Sequence, residues 1–283
     1  MEFRPSIESR VPYETYAALA GVSITRLKEL GRSPLHYQNR LANPLEGPAL
    51  TFGRAAHCAV LEPERFDHEH AVWSERTDGG KLRPRNGKDW DAFEAKHAGK
   101  TIITVDERDS VMSLQRAVRG NELAMRYLRQ GDPEVTMRWK TGEHLSKGRV
   151  DWHTKDGGFD VIVGLKTARD CRHFVFGSAA AKLGYHLQWA YYVDGFTAIT
   201  NRRAKVVEIV VENAPPYAVA VYIVTTDIIE QGREEYTALL DKLAECEASG
   251  DWPGPATAEQ FLTLPTWAFS RHDGVEDLGL DLT

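Results

Sequence analysis

The chain has 283 residues, with 35 Lys and Arg against 41 Asp and Glu for a formal charge of −6, and 42% of its residues are hydrophobic. The composition is that of an ordinary globular chain. It contains no apolar run near the roughly 20 residues of a membrane-spanning helix and no apolar leader core in MEFRPSIESR, so a cytoplasmic protein with no membrane association is expected. Cys58, Cys171 and Cys246 lie far apart with no CxxC pair, which excludes a disulfide framework, a zinc ribbon and a four-cysteine iron–sulfur cluster.

Residues 13–41 read as helical: Tyr16, Leu19 and Ala20 come first, then Ser23 as an N-cap for Ile24, Leu27 and Leu30. Ser33 can cap the next helix, whose first turn takes Pro34. A loop over 43–48 leads to a helix over about 51–61, closed by EPERF. RTDGGKLRPRNGK, residues 76–88, holds five positive charges and three glycines and reads as a mobile basic loop. Residues 89–99 and 106–130 read as two further helices. From Glu134 the pattern changes to short β-branched runs, VTMRW, GRVDWH and FDVIVGLKT, separated by turns. A helix over about 171–195, interrupted near Gly184, precedes strands KVVEIVVE and AVAVYIVT and a long helix from Asp227 to about Ser249. The expected fold is α/β, one domain over 1–283. Residues 13–130 form a mainly helical part, 134–250 a core of mixed sheet flanked by helices, and 256–283 a polar tail.

Four local patterns occur in order: Gly53-Arg-Ala-Ala-His57 inside a helix, Gly148-Arg-Val-Asp151 on a strand, Val163-Gly164-Leu165-Lys166-Thr167 at a strand end, and Gln188-Trp-Ala-Tyr191-Tyr192 on a helix. Singly, each has a plain structural reading: a core histidine, a turn carboxylate, a lysine reaching solvent, a surface pair one helical turn apart. Together they are the parts of a metal-assisted phosphodiester hydrolase. Asp151 offers hard oxygen to Mg²⁺ or Mn²⁺, His57 can complete the ligand shell, and Lys166 can orient the attacking water or neutralise developing charge.

In order and spacing these patterns resemble the exodeoxyribonuclease VIII (RecE-type) family of phage and prophage exonucleases, in the RecB-like branch of the PD-(D/E)XK nucleases and related to phage lambda exonuclease. The resemblance runs through GVSITRLKELGRSPLHY, TFGRAAHCAVLEPERF, GRVDW, LKTARDCRHF, GYHLQWAYYVDG and VVENAPPYAVAVY, and covers most of residues 13–255. It implies a twisted mixed sheet flanked by helices, a Mg²⁺-dependent site, and 5′→3′ digestion of linear duplex DNA to mononucleotides and a 3′ single-stranded tail. It also implies a homo-oligomeric ring, trimer or tetramer, and a single-strand annealing partner in recombination. Carried over by position, His57 and Asp151 become metal ligands, Leu165 turns its backbone carbonyl to the metal, Lys166 is the catalytic lysine, and Gln188 and Tyr192 steady the lysine and the scissile phosphate. Arg32 and Ser33 lie where relatives recognise a 5′-phosphate. Arg26, Lys28, Lys81, Arg83, Arg85 and Lys88 are expected to face DNA, and Glu134 is either an outer ligand or a plain strand residue.

One position departs from the family. Its lysine motif reads acid–x–Lys with the acid on the metal, and here that acid position is Gly164. Asp160 lies four residues earlier, about 13 Å along an extended strand at 3.3 Å per residue, too far to substitute. Three accounts stand at this point: a disabling loss of an acid that Gly164→Asp repairs, a homologue that binds DNA ends as a clamp for an annealing protein, or a gap filled by another carboxylate such as Glu134 or Asp156. The first is preferred, because glycine weakens a central strand and packs nothing there. A structure-specific endonuclease on the same fold is a further reading.

Overall fold

The computed structural model describes residues 3–264. Seven strands form one sheet: β1 (Ser6–Glu8), β2 (Val22–Ser23), β5 (Asp132–Thr141), β6 (His144–Asp156), β7 (Phe159–Ala168), β8 (Ala204–Glu212) and β9 (Val219–Ile223). The order is β1-β5-β6-β7-β8-β9, with β2 pairing with β6 off this path. Only β7–β8 and the two-residue β2–β6 contact are parallel, so the sheet is mixed and mostly antiparallel. Strands β3 (His70–Trp73) and β4 (Thr101–Thr104) make a separate parallel pair.

Helices cover both faces of the large sheet, which is why its central strands are apolar on both sides. On one face Ile162 of β7 and Val206 and Val210 of β8 pack with α2 (Ile24–Leu30), α9 (His173–Lys182), α10 (Tyr185–Thr200) and α11 (Thr226–Ser249). On the other, Val161, Val163, Leu165, Val207, Ile209 and Val211 meet α4 (Pro48–Leu61), α7 (Val105–Gly120) and α8 (Glu122–Leu128). Helices α1 (Tyr13–Ala18), α3 (Pro34–Ala42), α5 (Phe66–Glu69) and α6 (Gly87–Lys96) complete the chain.

Local sequence sets the helix boundaries. Ser33 accepts from the His36 N–H at 3.3 Å, with Pro34 in the first turn of α3. Thr104 and Glu107 form a reciprocal capping box at the start of α7. Gly184, at φ 63°, adopts the left-handed conformation that separates α9 from α10. The reading of 106–130 as one helix is corrected: it breaks at Asn121, whose side chain accepts from the Ala124 N–H at 3.0 Å and caps α8. The helical stretch over 13–41 is three helices, two of them beginning at the Ser23 and Ser33 caps, with the short, unexpected β2 between the first two. Most of the expected tail, residues 265–283, lies outside the described residues. No helix among the described residues is long and apolar enough to cross a membrane.

Candidate active site

The site forms where two strands part. The β6–β7 ladder runs from Asp156↔Phe159 to Trp152↔Val163 and stops there. The next backbone donor, Leu165 N–H, bonds to a side chain instead, Asp151 Oδ2 at 2.8 Å. The carboxylate of the GRVD strand is therefore fixed in the mouth of the sheet, with its other oxygen free for a second partner. His57 reaches it from α4, Nδ1 3.6 Å from Asp151 Oδ1, and the Leu165 carbonyl lies beside the His57 ring. Gly53 sits one turn earlier on α4, where an added Cβ would meet nothing within 4 Å, so the helix surface leading to His57 is open.

Lys166 stands on the α10 side of the sheet. Its Nζ lies 3.5 Å from Asp151 Oδ2, 3.5 Å from the Leu165 carbonyl and 3.3 Å from Glu208 Oε1. On α10, Gln188 Nε2 donates to Tyr192 Oη at 3.1 Å. Gln188, Tyr192, Asp151, Lys166 and Glu208 line one small cavity.

The charges hold one another in place. Burial alone would raise the Asp151 carboxyl, but Lys166, His57 and the Leu165 N–H outweigh it and keep it below the usual carboxylate range. Burial also works against the Lys166 ammonium, yet Glu208 and Asp151 keep it charged well above its ordinary value. Burial lowers the His57 pKa, leaving a neutral imidazole whose lone pair can bind a cation. A carboxylate oxygen, a neutral imidazole and a backbone carbonyl suit a divalent cation, and Asp151 Oδ1 and His57 Nδ1, 3.6 Å apart, make no hydrogen bond with each other.

The structure thus gathers His57, Asp151, Leu165, Lys166, Gln188 and Tyr192. It does not bring the other candidate acids into the gap at Gly164. Asp156 is bound to Arg126 at 2.7 and 2.9 Å at the far end of β6, and Asp160 is held by His153 and Arg202. Glu134 lies 2.8 Å from Arg149 Nε, and burial pushes its carboxyl up to about 8 against the pull of that arginine. The side chain that fills the space is Glu208 of β8, which the sequence reading missed. An ideal Cβ on Gly164 would fall 2.5 Å from its Oε1 and 2.7 Å from its Cδ. Gly164 is therefore no empty slot, and Gly164→Asp, the apparent repair, would collide with an existing carboxylate. The available signal was Glu208 in the middle of KVVEIVVE, where the residues between the charged ends are otherwise apolar on both faces.

The expected DNA-facing residues are dispersed. Lys28 donates to the Leu183 carbonyl at 3.0 Å beside Tyr185, next to the site, while Arg26 is partly buried on the same helix. Arg32 pairs with Glu29 at 3.0 Å. Ser33 is buried at the N-terminus of α3, its hydroxyl 2.6 Å from His36 Nδ1. The 76–88 segment is tied down rather than loose: Arg76 bridges to Leu82, Arg83 pairs with Asp89 at 2.5 Å, and Arg85 with Glu107 at 2.7 Å. Lys81 and Lys88 remain exposed there. Cys58, Glu69 and His70 bring donor atoms within 4.8 Å, but each already has a partner: the Glu62 carbonyl, Arg65 and the Phe66 carbonyl.

A mixed sheet between helical layers, with an aspartate and a lysine meeting where two strands separate, defines a PD-(D/E)XK nuclease-like protein. Residues 23–263 match the model of the PDDEXK-like domain of unknown function DUF3799, and the chain belongs to that family. Among solved structures it is similar to the crystal structure of a "Putative exonuclease" from Eubacterium rectale, at 12% identity and a TM-score of 0.61 over 91% of this chain and 96% of that one. A phage related exonuclease from Haemophilus somnus 129PT aligns at 14% identity and a TM-score of 0.35, over 82% of this chain and 97% of that one. No curated protein matches. Nucleases of this superfamily generally use divalent metal ions, and the donor set around Asp151 fits one.

Proposed function

We infer that the protein is a divalent-metal-dependent exodeoxyribonuclease acting 5′→3′ on linear double-stranded DNA, yielding mononucleotides and a 3′ single-stranded tail for recombination. The observation that carries the nuclease reading is the meeting of Asp151, Lys166 and the Leu165 backbone at the β6–β7 divergence, with His57 3.6 Å away. Polarity, duplex ends, an annealing partner and a ring of three or four subunits rest on the resemblance of the motif blocks to exodeoxyribonuclease VIII. Mg²⁺ or Mn²⁺ is the expected ion.

In this reading Asp151, His57 and the Leu165 carbonyl would hold the ion, which would supply Lewis-acid neutralisation of the phosphate. Lys166, fixed between two carboxylates, donates to the attacking water and meets the negative charge that builds on the phosphoryl oxygens. Gln188, oriented by Tyr192, places the scissile phosphate against the lysine. Lys28 adds positive charge beside Tyr185, its Nζ 5.6 Å from the ring centre.

The test is incubation of the chain with 5′-phosphorylated linear duplex DNA and Mg²⁺, beside a covalently closed circle. Loss of the linear DNA alone, abolished by Asp151→Asn and by Lys166→Met, is the expected result. Cutting of the circle would make the protein an endonuclease, and end binding without degradation would make it a clamp.

A further inference from the structure

We propose that Glu208 supplies, from β8, the metal-binding carboxylate that the acid–x–Lys pattern would place at position 164 of β7. This rests on the metal-dependent nuclease reading above and extends it to a residue that no motif marks.

The two positions are cross-strand neighbours. In the parallel β7–β8 ladder Gly164 is the register partner of Glu208, so their side chains leave the same face of the sheet. That is the face of Lys166, two residues on. Side chains at 164 and 208 would compete for one volume, since a Cβ on Gly164 would come within 2.5 Å of Glu208 Oε1. The missing side chain is what lets the glutamate lie across its neighbour.

Glu208 is 0% exposed, and a buried carboxylate is costly unless its charge is met. One oxygen is satisfied: Trp189 Nε1 donates to Oε2 at 2.6 Å. That bond fixes the rotamer and turns the other oxygen toward the cavity shared with Asp151, Lys166 and Gln188. Oε1 accepts no hydrogen bond there, although the Lys166 ammonium is 3.3 Å away. Two carboxylates, Asp151 and Glu208, thus face one ammonium, an excess of negative charge around a cavity that admits about one water-sized group. A buried carboxylate oxygen whose close neighbour is an ammonium already shared with Asp151, on a cavity both carboxylates line, is a hard ligand available to a divalent cation.

A purely structural glutamate, present only as a counter-ion for Lys166, makes a different prediction. Mn²⁺ binding to the whole chain, without DNA, separates the two, read from the loss of the free-ion electron paramagnetic resonance signal and from calorimetry. Glu208→Gln keeps the shape and the tryptophan contact, and should weaken Mn²⁺ at least about tenfold, about 1.4 kcal/mol. Gly164→Asp alone should lower the melting temperature, and Gly164→Asp with Glu208→Ala should return both melting temperature and Mn²⁺ affinity toward the original. Unchanged Mn²⁺ affinity in Glu208→Gln, with affinity lost in Asp151→Asn, would overturn the role of Glu208 and leave the nuclease reading standing. A chain that takes up no Mn²⁺, or takes it up equally with Asp151→Asn, would overturn both.

Discussion

Gly148 and Tyr192 are in direct contact: a Cβ on Gly148 would lie 2.9 Å from Tyr192 Cε1 and 3.0 Å from Cδ1. The glycine that opens GRVD is thus the seat for the ring that closes the Gln188–Tyr192 pair, so two motifs far apart in sequence are halves of one packing arrangement. Trp139 limits any retreat, 3.3 Å from the same point. Gly148→Ala should therefore cost about 1–3 kcal/mol, as overpacked cores do. Urea denaturation of the two proteins measures it, and a cost near zero would mean that the tyrosine moves aside freely.

Lys166→Met removes the ammonium that lies within 3.5 Å of both Asp151 and Glu208. Burial already holds the folded Glu208 carboxyl above its unfolded range; without that charge it rises further, and Asp151 loses the largest influence that keeps it low, so the interval between unfolded and folded values widens. The folded state binds more protons than the unfolded one in that interval, and stability falls as pH rises through it. Melting curves from pH 5 to pH 8 should show the variant losing stability relative to the original protein. A parallel pair of curves would refute the arrangement of charges.

Lys28 has the opposite sign. Burial, with Lys166 adding to it, pulls its ammonium down to about 8 from an ordinary 10.5. Between those values the unfolded chain holds the proton and the folded chain does not, so this group makes stability rise with pH across the interval. In Lys28→Met that increment should disappear from the melting temperatures at pH 7.5 and pH 10. DNA affinity should fall as pH passes 8 in the original protein and stay flat in the variant.

Lys147 is buried in β6, and its Nζ donates to the carbonyls of Tyr16, Ala17 and Leu19 at 3.1, 3.0 and 2.6 Å. These acceptors lie at the C-terminal end of α1, so one ammonium pins that helix end to the sheet. Lys147→Met leaves the Ala17 and Leu19 carbonyls without this donor, while the Tyr16 carbonyl keeps the Leu19 N–H, and should cost about 3 kcal/mol, at roughly 1–3 kcal/mol per orphaned buried group with partial relief from water. Amide exchange in α1 should accelerate more than exchange in β8, and uniform acceleration would show that the pin is not local.

What the sequence made legible was local or motif-borne. Ser33 with Pro34, Thr104 with Glu107, and Gly184 act within one turn of chain, so cap and break chemistry reveals them. His57, Asp151 and Lys166 were legible because each stands in a short pattern, and the pairing of β6 with β7 brings the last two together. Strands β1, β2, β3 and β4 were not: they have two to four residues each, and their identity as strands comes from partners such as β5 and β6. The basic loop was misread for the opposite reason, since its arginines look free in sequence while Asp89 and Glu107 reach them in space. Glu208 escaped because its tie to Gly164 exists only in the β7–β8 register.

That shared volume links two mutational fates. Aspartate at 164 would displace the Glu208 carboxylate, so converting one arrangement cleanly into the other takes two substitutions. A lineage crossing between them passes either through a chain with neither acid, whose Lys166 keeps Asp151 as its one close anion, or through a chain that forces two like charges into the space of one. Positions 164 and 208 should therefore vary as a pair, and either one grafted alone into a relative carrying the other arrangement should leave that relative worse off than before.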